Sequence, residues 1–460
     1  NGTEVSGFPV TTGGLIRSTA AVYLNPNGSR VIAFGSDDGK LYAVDKNGAS
    51  LPGFPKQTPK AIKSSPMIVD LNNDGQKEIV VLSGDGKMYA YSFSGAALTG
   101  FPVQVQNTED NFGTLIIMPS PAAADLDGNG TKEIIIGTLD KSLKVINSDG
   151  SVRFTRTLDS AVYSSPLIAK INSSTYRIIV TTASGTIYIY DNSGNLVTSR
   201  NLGAGFVSSP VLADLDKSGT PQLIAATISG EVYKLNAATL ATMWELPTGQ
   251  QIYASPVIAD VDGDNYLDLV YGGQGGYVMP ITRQGYLCDS TTIAAMEPFD
   301  SWIISTGAVG DIDKDGKLDL VSASMDNKLK AFSLPATDVN SKVWWGSFGN
   351  DLGNTRVGDS LTSVGVINNN SIADKYSLGQ NYPNPFNPST KISFSIPKNE
   401  FVSIKIFDIA GKEIAQLVNN EMNAGTYEYT FNGSSLASGI YFYQIKTAGF
   451  TDTKRMTLIK

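Results

Sequence analysis

The 460-residue chain contains no histidine. This removes the commonest general base, triads built on histidine, and histidine-ligated zinc or haem. There is one cysteine, Cys288, so no disulfide can form within the chain. Cys288 follows "QGYL" in an apolar run and reads as a small buried residue. No stretch approaches the length of apolar sequence that a membrane-spanning helix needs. The opening "NGTEVSGFPV" has neither the basic start nor the apolar centre of a signal peptide. Charged residues are only 17%, the net charge is −8, and no Lys/Arg-rich stripe is present. That argues against a nucleic-acid partner. Chemistry would be left to carboxylates, lysine, tyrosine or metal-bound water, and the expectation is that the protein is not an enzyme.

What is abundant is glycine, at 46 residues, together with Val, Ile, Thr and Tyr. This is the profile of a β-rich, turn-rich globular protein. An internal repeat organises the first three quarters of the chain. "STAAVYLNPNG" starts at Ser18, "SSPMIVDLNNDG" at Ser64, "PSPAAADLDGNG" at Pro119 and "SSPLIAKINSS" at Ser164. "SSPVLADLDKSG" follows at Ser208, "ASPVIADVDGDN" at Ala254 and "STGAVGDIDKDG" at Ser305. These are seven copies, 44 to 55 residues apart. Each continues with an apolar run such as "EIVVLS" or "EIIIGT", then a turn, then an alternating strand such as "GKLYAVD" or "GTIYIYD". Most close with a more polar strand. The period of two predicts half-buried strands. Four strands in a unit of roughly 45 residues predict a propeller blade. The fold expected for residues 1–357 is therefore an all-β, seven-bladed β-propeller.

A propeller has to close its ring or leave a blade edge open. "SGFPVTTGG" from Ser6 matches the "PGFPKQT" and "TGFPVQV" that end later blades, so it is expected to complete the last blade. "VWWGSFGND" from Val343 competes for that position. In "GFP" the phenylalanines Phe8, Phe54 and Phe101 are expected to pack between blades rather than stack on a sugar.

Four copies carry acidic loops: "DLNNDGQKE", "DLDGNGTKE", "DVDGDNYLD" and "DIDKDGKLD". Numbered from the first Asp, positions 1, 3, 5 and 9 are Asp70, Asn72, Asp74 and Glu78 in the first loop. They are Asp125, Asp127, Asn129 and Glu133 in the second. The third offers Asp260, Asp262, Asp264 and Asp268, and the fourth Asp311, Asp313, Asp315 and Asp319. Oxygen ligands at this spacing, with a backbone carbonyl at position 7, suit a hard cation that takes six to eight oxygens. Position 6 (Gly75, Gly130, Asn265, Gly316) must turn sharply, which Gly and Asn tolerate. Position 2 is apolar and is expected to anchor the loop in its blade. An EF-hand would need a bidentate Glu at position 12 between helices. Position 12 here is Val81, Ile136, Tyr271 and Ser322, between strands. The expectation is about four Ca²⁺ sites. A weaker loop has Asp214, Asp216 and Ser218, with Gln222 at position 9. The copies "YLNPNGSRV" and "KINSSTYRI" lack the carboxylates, and no calcium is expected there. The pattern resembles the FG-GAP/VCBS calcium-binding propeller repeat of the integrin α-subunit head.

A Ser/Asn/Gly-rich stretch, residues 358–375, reads as a linker. Residues 376–460 read as a small β-sandwich. Its strands are expected at Lys391–Ile396, Val402–Asp408, Glu413–Val418, Thr426–Phe431, Ile440–Lys446 and Thr451–Ile459. "NYPNPFNP" (Asn381 to Pro388), Asp408 to Gly411, "GIY" (Gly439 to Tyr441) and "KRM" (Lys454 to Met456) resemble the C-terminal sorting domain of the type IX secretion system of Bacteroidetes. That resemblance implies the type IX machinery as a partner. It also implies an extracellular or outer-surface location and a signal peptide already removed. From the residues alone, "YPNPFNP" reads as a lead-in that caps the sandwich edge.

For the whole chain the expected function is a secreted, cell-surface, calcium-binding module for adhesion to a glycan or protein. Tyr253, Tyr271, Tyr277, Trp302 and Trp344 are candidate face aromatics. One alternative is a subunit of an extracellular filament or surface layer, with copies of itself as partners through propeller–sandwich contacts. The other is a polysaccharide-active enzyme.

Overall fold

The computed structural model describes residues 5–25, 29–107, 118–171, 175–288, 296, 298–313, 315–335, 343–345, 357–358, 376–381, 384–398, 400–409, 411–422, 425–433 and 436–459. The chain divides into two compact units, Asn1–Ser363 and Val364–Lys460. Among the described residues every regular element is a strand. The linker expected at 358–375 falls, beyond residue 358, outside them.

Seven antiparallel sheets succeed one another in the first unit among the described residues. Sheet 2 is representative: Met67–Val69, Glu78–Leu82, Lys87–Ser92 and Val103–Gln104 pair in chain order. Sheet 1 starts at Ala21–Leu24, sheet 3 at Ala122–Ala124, sheet 4 at Leu167–Lys170 and sheet 5 at Val211–Ala213. Sheets 6 and 7 start at Val257–Ala259 and Ala308–Gly310. This is a β-propeller made of meandering blades.

Second strands such as Glu78–Leu82 and Glu133–Gly137 are buried along their whole length. A strand covered on both faces reads as a continuous apolar run, as these do. The third strands differ from expectation. They alternate in sequence, yet Lys40–Asp45 and Glu231–Asn236 are buried except at their ends. The tyrosines bury their rings between blades and deliver the hydroxyl to a carboxylate at the rim. Tyr42 donates to Asp38 at 2.7 Å, Tyr89 to Asp85 at 2.8 Å and Tyr233 to Glu245 at 3.0 Å.

The "GFP" turns do pack between blades. Phe54 and Phe101 are buried. A Cβ on Gly100 would lie 1.8 Å from the Asp149 carbonyl oxygen, and one on Gly53 2.9 Å from that of Ser94. Only glycine allows so close an approach at positive φ. Gly7 meets Asn47 in the same way, and Phe8 packs beside Phe34, Tyr42 and Val44. The segment from Ser6 therefore lies against sheet 1 as Gly53–Phe54 lies against sheet 2. It takes the place of a preceding blade's end, but no strand ladder joins it to sheet 7 among the described residues.

The described part of "VWWGSFGND", Val343–Trp345, does not pair with sheet 7. Val343–Trp345 pairs antiparallel with Val257–Ala259, the innermost strand of sheet 6. Val357–Gly358 pairs in parallel with Leu167–Lys170, the innermost strand of sheet 4. Innermost strands present an unpaired row of N–H and C=O groups, and this segment satisfies part of two such rows. Among the described residues sheet 7 has three strands, Ala308–Gly310, Asp319–Ala323 and Leu329–Ser333.

The "SSP" words prove to be a belt. The Thr19 N–H donates to Ser65 Oγ at 2.9 Å, Ser65 N–H to Ser120 Oγ at 2.9 Å and Ser120 N–H to Ser165 Oγ at 2.9 Å. Ser165 N–H continues to Ser209 Oγ and Ser209 N–H to Ser255 Oγ, both at 3.0 Å. Each step crosses from one blade to the next, and all five serines are buried. The preceding serine works within its own blade. Ser64 Oγ donates to the Leu82 carbonyl at 2.7 Å and accepts from the Leu82 N–H at 3.1 Å.

The second unit is a β-sandwich. One sheet orders Ser377–Leu378, Ser389–Ile396 and Gly425–Asn432. The other orders Glu413–Met422, Glu400–Phe407, Gly439–Lys446 and Thr451–Leu458. Here the period of two does mean half-burial. Ile392, Phe394, Val402, Ile404, Tyr443 and Ile445 point inward, while their neighbours are partly or fully exposed.

Candidate metal centre

The acidic loops join first and second strands, so they share one end of their blades. All five have the same hydrogen-bonded frame. The position-9 side chain turns back to accept the position-2 N–H. Glu78 accepts from Leu71 at 2.8 Å, Glu133 from Leu126 at 2.8 Å and Gln222 from Leu215 at 2.7 Å. Asp268 accepts from Val261 at 3.0 Å and Asp319 from Ile312 at 2.8 Å. The position-6 N–H reaches the position-1 carboxylate: Gly75 to Asp70 at 3.1 Å, Gly130 to Asp125 at 2.9 Å and Gly219 to Asp214 at 2.8 Å. Asn265 to Asp260 is 3.0 Å and Gly316 to Asp311 is 3.2 Å.

Position 6 has positive φ in every loop, from Asn265 at 69° to Gly130 at 93°. Position 4 does so as well at Asn73, Gly128, Lys217 and Gly263, a second left-handed turn that the spacing did not announce. Position 5 side chains accept the position-7 N–H, as Asp74 does from Gln76 at 2.8 Å and Asp264 from Tyr266 at 2.7 Å. These turns direct the position-7 N–H into the loop's own frame.

The side-chain oxygens converge. Ligand atoms of Asp125, Asp127 and Glu133 lie within 4.8 Å of one another, as do those of Asp260, Asp262 and Asp264 and those of Asp311, Asp313 and Asp315. In the sheet 2 loop position 3 is the neutral Asn72, whose Nδ2 donates to Asp74 at 3.1 Å. There Asp70 Oδ1 is buried without a hydrogen-bond partner among the described residues. Asn129 Oδ1 accepts from Thr131 at 2.7 Å.

The position-9 acids are buried: Glu78 is 2% exposed, Glu133 1%, Asp268 1% and Asp319 7%. Burial pushes the Glu78 carboxyl up to about 7 and Asp268 up to about 8, against the opposing hydrogen bonds from Leu71 and Val261. Glu133 and Asp262 are raised for the same reason, with neighbouring Asp residues adding to it. Carboxylates so placed are costly unless a positive charge joins them. The donor set is all hard oxygen, which fits a divalent hard cation.

Position 2 anchors the loop at Leu71, Leu126, Leu215 and Val261, all buried. Ile312 departs from this and is 60% exposed, because the neighbouring strand Ala308–Gly310 is itself only partly covered. Two residues at the loops were not foreseen. Arg153 places its guanidinium 2.5 Å from Asp127 and 3.7 Å from Glu133. It stands where the outer strand Val152–Thr157 bulges against its neighbour, and a bulge re-aims a side chain. Cys288 is buried as expected, and burial raises its thiol, yet its Sγ also falls within 4.8 Å of Asp262 and Asp268 oxygens. The weaker loop keeps the frame, but Lys234 pairs with Asp216 at 2.5 Å. Residues 26–28 and 172–174, in the two copies without carboxylates, lie outside the described residues.

Of the candidate face aromatics, Tyr253 and Tyr271 are buried, while Tyr277 is 50% and Trp302 39% exposed. Trp302 stacks on Tyr253 with centroids 5.9 Å apart. The side chain of Trp344 lies outside the described residues.

In the sandwich, the lead-in closes the edge of Thr451–Leu458. The Phe386 N–H donates to the Thr457 carbonyl at 2.9 Å, and Ile459 N–H returns to the Phe386 carbonyl at 3.0 Å. Asn384 Oδ1 accepts from Thr457 N–H at 2.9 Å, and the Phe386 ring is buried. Tyr443 Oη accepts from Asn381 N–H and donates to the Gly379 carbonyl, both at 2.7 Å. Residues 382–383 of the motif lie outside the described residues. The family model described as "Secretion system C-terminal sorting domain" matches residues 380–460, over these strands and their lead-in.

The chain carries a type IX sorting domain.

The sorting domain makes the chain a type IX secretion substrate, destined for the cell surface or the extracellular space. A second model, "FG-GAP-like repeat", matches residues 70–136, which span the acidic loops of sheets 2 and 3. No curated protein matches the chain. Among solved structures, BamB from Moraxella catarrhalis is 17% identical, covering 70% of this chain and 84% of its own, with a TM-score of 0.50. Sqt1 of Saccharomyces cerevisiae is 14% identical, covering 83% and 94%, also with a TM-score of 0.50. At such identities the likeness shows the propeller fold alone. No helix among the described residues is long and apolar enough to cross a membrane.

Proposed function

We propose that this type IX-secreted propeller is a calcium-stabilised binding module without catalytic activity, which adheres to a glycan or protein at the cell surface. The observation that carries the reading is the converging carboxylates of the loops, closed by a buried acid at position 9. Asp125, Asp127 and Glu133 in sheet 3, Asp260, Asp262 and Asp264 in sheet 6, and Asp311, Asp313 and Asp315 in sheet 7 hold converging oxygens on a rigid frame. Asp70 Oδ1 is a buried acceptor that a cation would satisfy. Calcium there neutralises the loop charge and cross-links two strands. The loop itself supplies the ligands, so the metal's role is structural.

The adhesive role is supported by the opposite blade ends. Tyr277 precedes a third strand and Trp302 a first strand, so both lie away from the acidic loops. Their exposed rings suit stacking on a sugar or on a partner's side chain.

Metal analysis of the purified chain tests the first half. About four calcium ions per chain are expected, with a melting temperature that falls by at least ten degrees in chelator. Absence of bound calcium together with an unmoved melt would end the reading. A glycan array probed with the wild type and with W302A tests the second half. Retention lost in the variant supports it, and equal retention counts against that face.

A further inference from the structure

We propose that the acidic loop of sheet 5 takes no metal, because the protein's own Lys234 and Gln222 occupy the donor places that calcium would use. The loop backbone follows the others, with Asp214 accepting from Gly219 at 2.8 Å and from Ser218 at 2.9 Å. Its ligand atoms are spoken for. The Lys234 ammonium pairs with Asp216, the position-3 carboxylate, at 2.5 Å. Gln222, at position 9, accepts from Leu215 through its carbonyl. Its Nε2 donates to the Thr220 carbonyl, which is the position-7 oxygen, and lies 3.5 Å from the position-5 hydroxyl of Ser218. An amide N–H thus stands where a cation would have to bind that carbonyl.

The blades serve as one another's comparison. Strand register places Lys234 opposite Ile224. The equivalent residues elsewhere are Ala43, Ala90, Val145, Ile189, Pro280 and Ala331. A lysine appears at this position only in the sheet whose loop has an amide in place of the position-9 acid. The residue is 3% exposed, and a lysine so buried is kept only when paired. Lys234 Nζ also donates to the Arg283 carbonyl of sheet 6 at 3.3 Å, and Lys217 Nζ reaches the Asn265 carbonyl in that sheet's loop. Two fixed cations therefore latch sheets 5 and 6.

The proposal depends on the calcium reading of the other loops only in its metal-counting arm. In that arm, D125N is expected to lower bound calcium by one ion per chain and D214N to leave it unchanged. The double variant Q222E/K234A is expected to raise it by one. Loss of an ion in D214N, or no gain in the double variant, overturns the proposal. The second arm uses thermal melts of the full chain in chelator. K234M, which keeps the side-chain volume, is expected to melt several degrees lower than wild type with or without calcium. An unchanged melt in chelator overturns the proposal too. If neither wild type nor D125N holds calcium, the broader reading has failed, and the chelator melt alone decides the fate of the lysine clamp.

Discussion

At the residue scale, the loops hold different groups that would compete with the proposed cation. Arg153 lies across Asp127 and Glu133, so the proposed calcium would have to displace a guanidinium in the sheet 3 loop. R153A is expected to strengthen the proposed calcium binding at this loop by up to about fivefold, about the 1 kcal/mol of a partly exposed charge pair. Calorimetric titration of wild type and variant reads the change. Weaker binding in R153A would show that the arginine supports the site. Protons compete as well. Glu78 titrates at about 7 and Asp268 at about 8 in the folded chain, against ordinary values of 4.5 and 3.8. A raised folded value favours the protonated form. Its stabilisation is complete below about pH 4 and is lost as pH climbs through 7 and 8. Metal-free protein is thus expected to weaken between pH 5 and pH 8.5. The rise in melting temperature on adding calcium should be small at the lower pH and large at the higher. A calcium effect independent of pH would contradict the buried acids.

At the element scale, the blade-to-blade belt carries a measurable load. S120A removes the acceptor of the buried Ser65 N–H and is expected to cost about 1–3 kcal/mol. Chemical denaturation reads this, with the exposed Ser151→Ala as a neutral control. A loss no greater than the control's would show the belt to be dispensable. The belt also marks the limit of what the sequence disclosed. The recurring "SSP" words were plain, but a hydroxyl that accepts from a residue 44 to 55 positions away has no periodic signature. Strands were legible because burial writes itself as apolar runs and alternation. In the sandwich, the strand expected at Val402–Asp408 is Glu400–Phe407, and that expected at Thr451–Ile459 is Thr451–Leu458. The short inner additions Val343–Trp345 and Val357–Gly358 were not legible, since partner choice there depends on which edges the ring leaves free. The converging loop carboxylates were legible because they follow one another in the chain. Arg153 and Lys234 approach from other strands and were missed, as was the nearness of the buried Cys288 to the sheet 6 loop.

At the scale of the whole molecule, export is expected to require that the sorting domain keep its lead-in clamped. Tyr443 is fully buried and holds Asn381 and Gly379 through one hydroxyl. Y443F removes the hydroxyl that meets both backbone groups, at about 1–3 kcal/mol in total. Export of the full chain is expected to fall several-fold, measured as the protein recovered outside the cell against that retained. Undiminished export would show that the clamp is not what the machinery requires.

The pairing of Val357–Gly358 with Leu167–Lys170 has a mechanical corollary. The two residues add a parallel ladder to the innermost strand of sheet 4, so a pull along that added strand would load its bonds together in shear instead of parting them one by one.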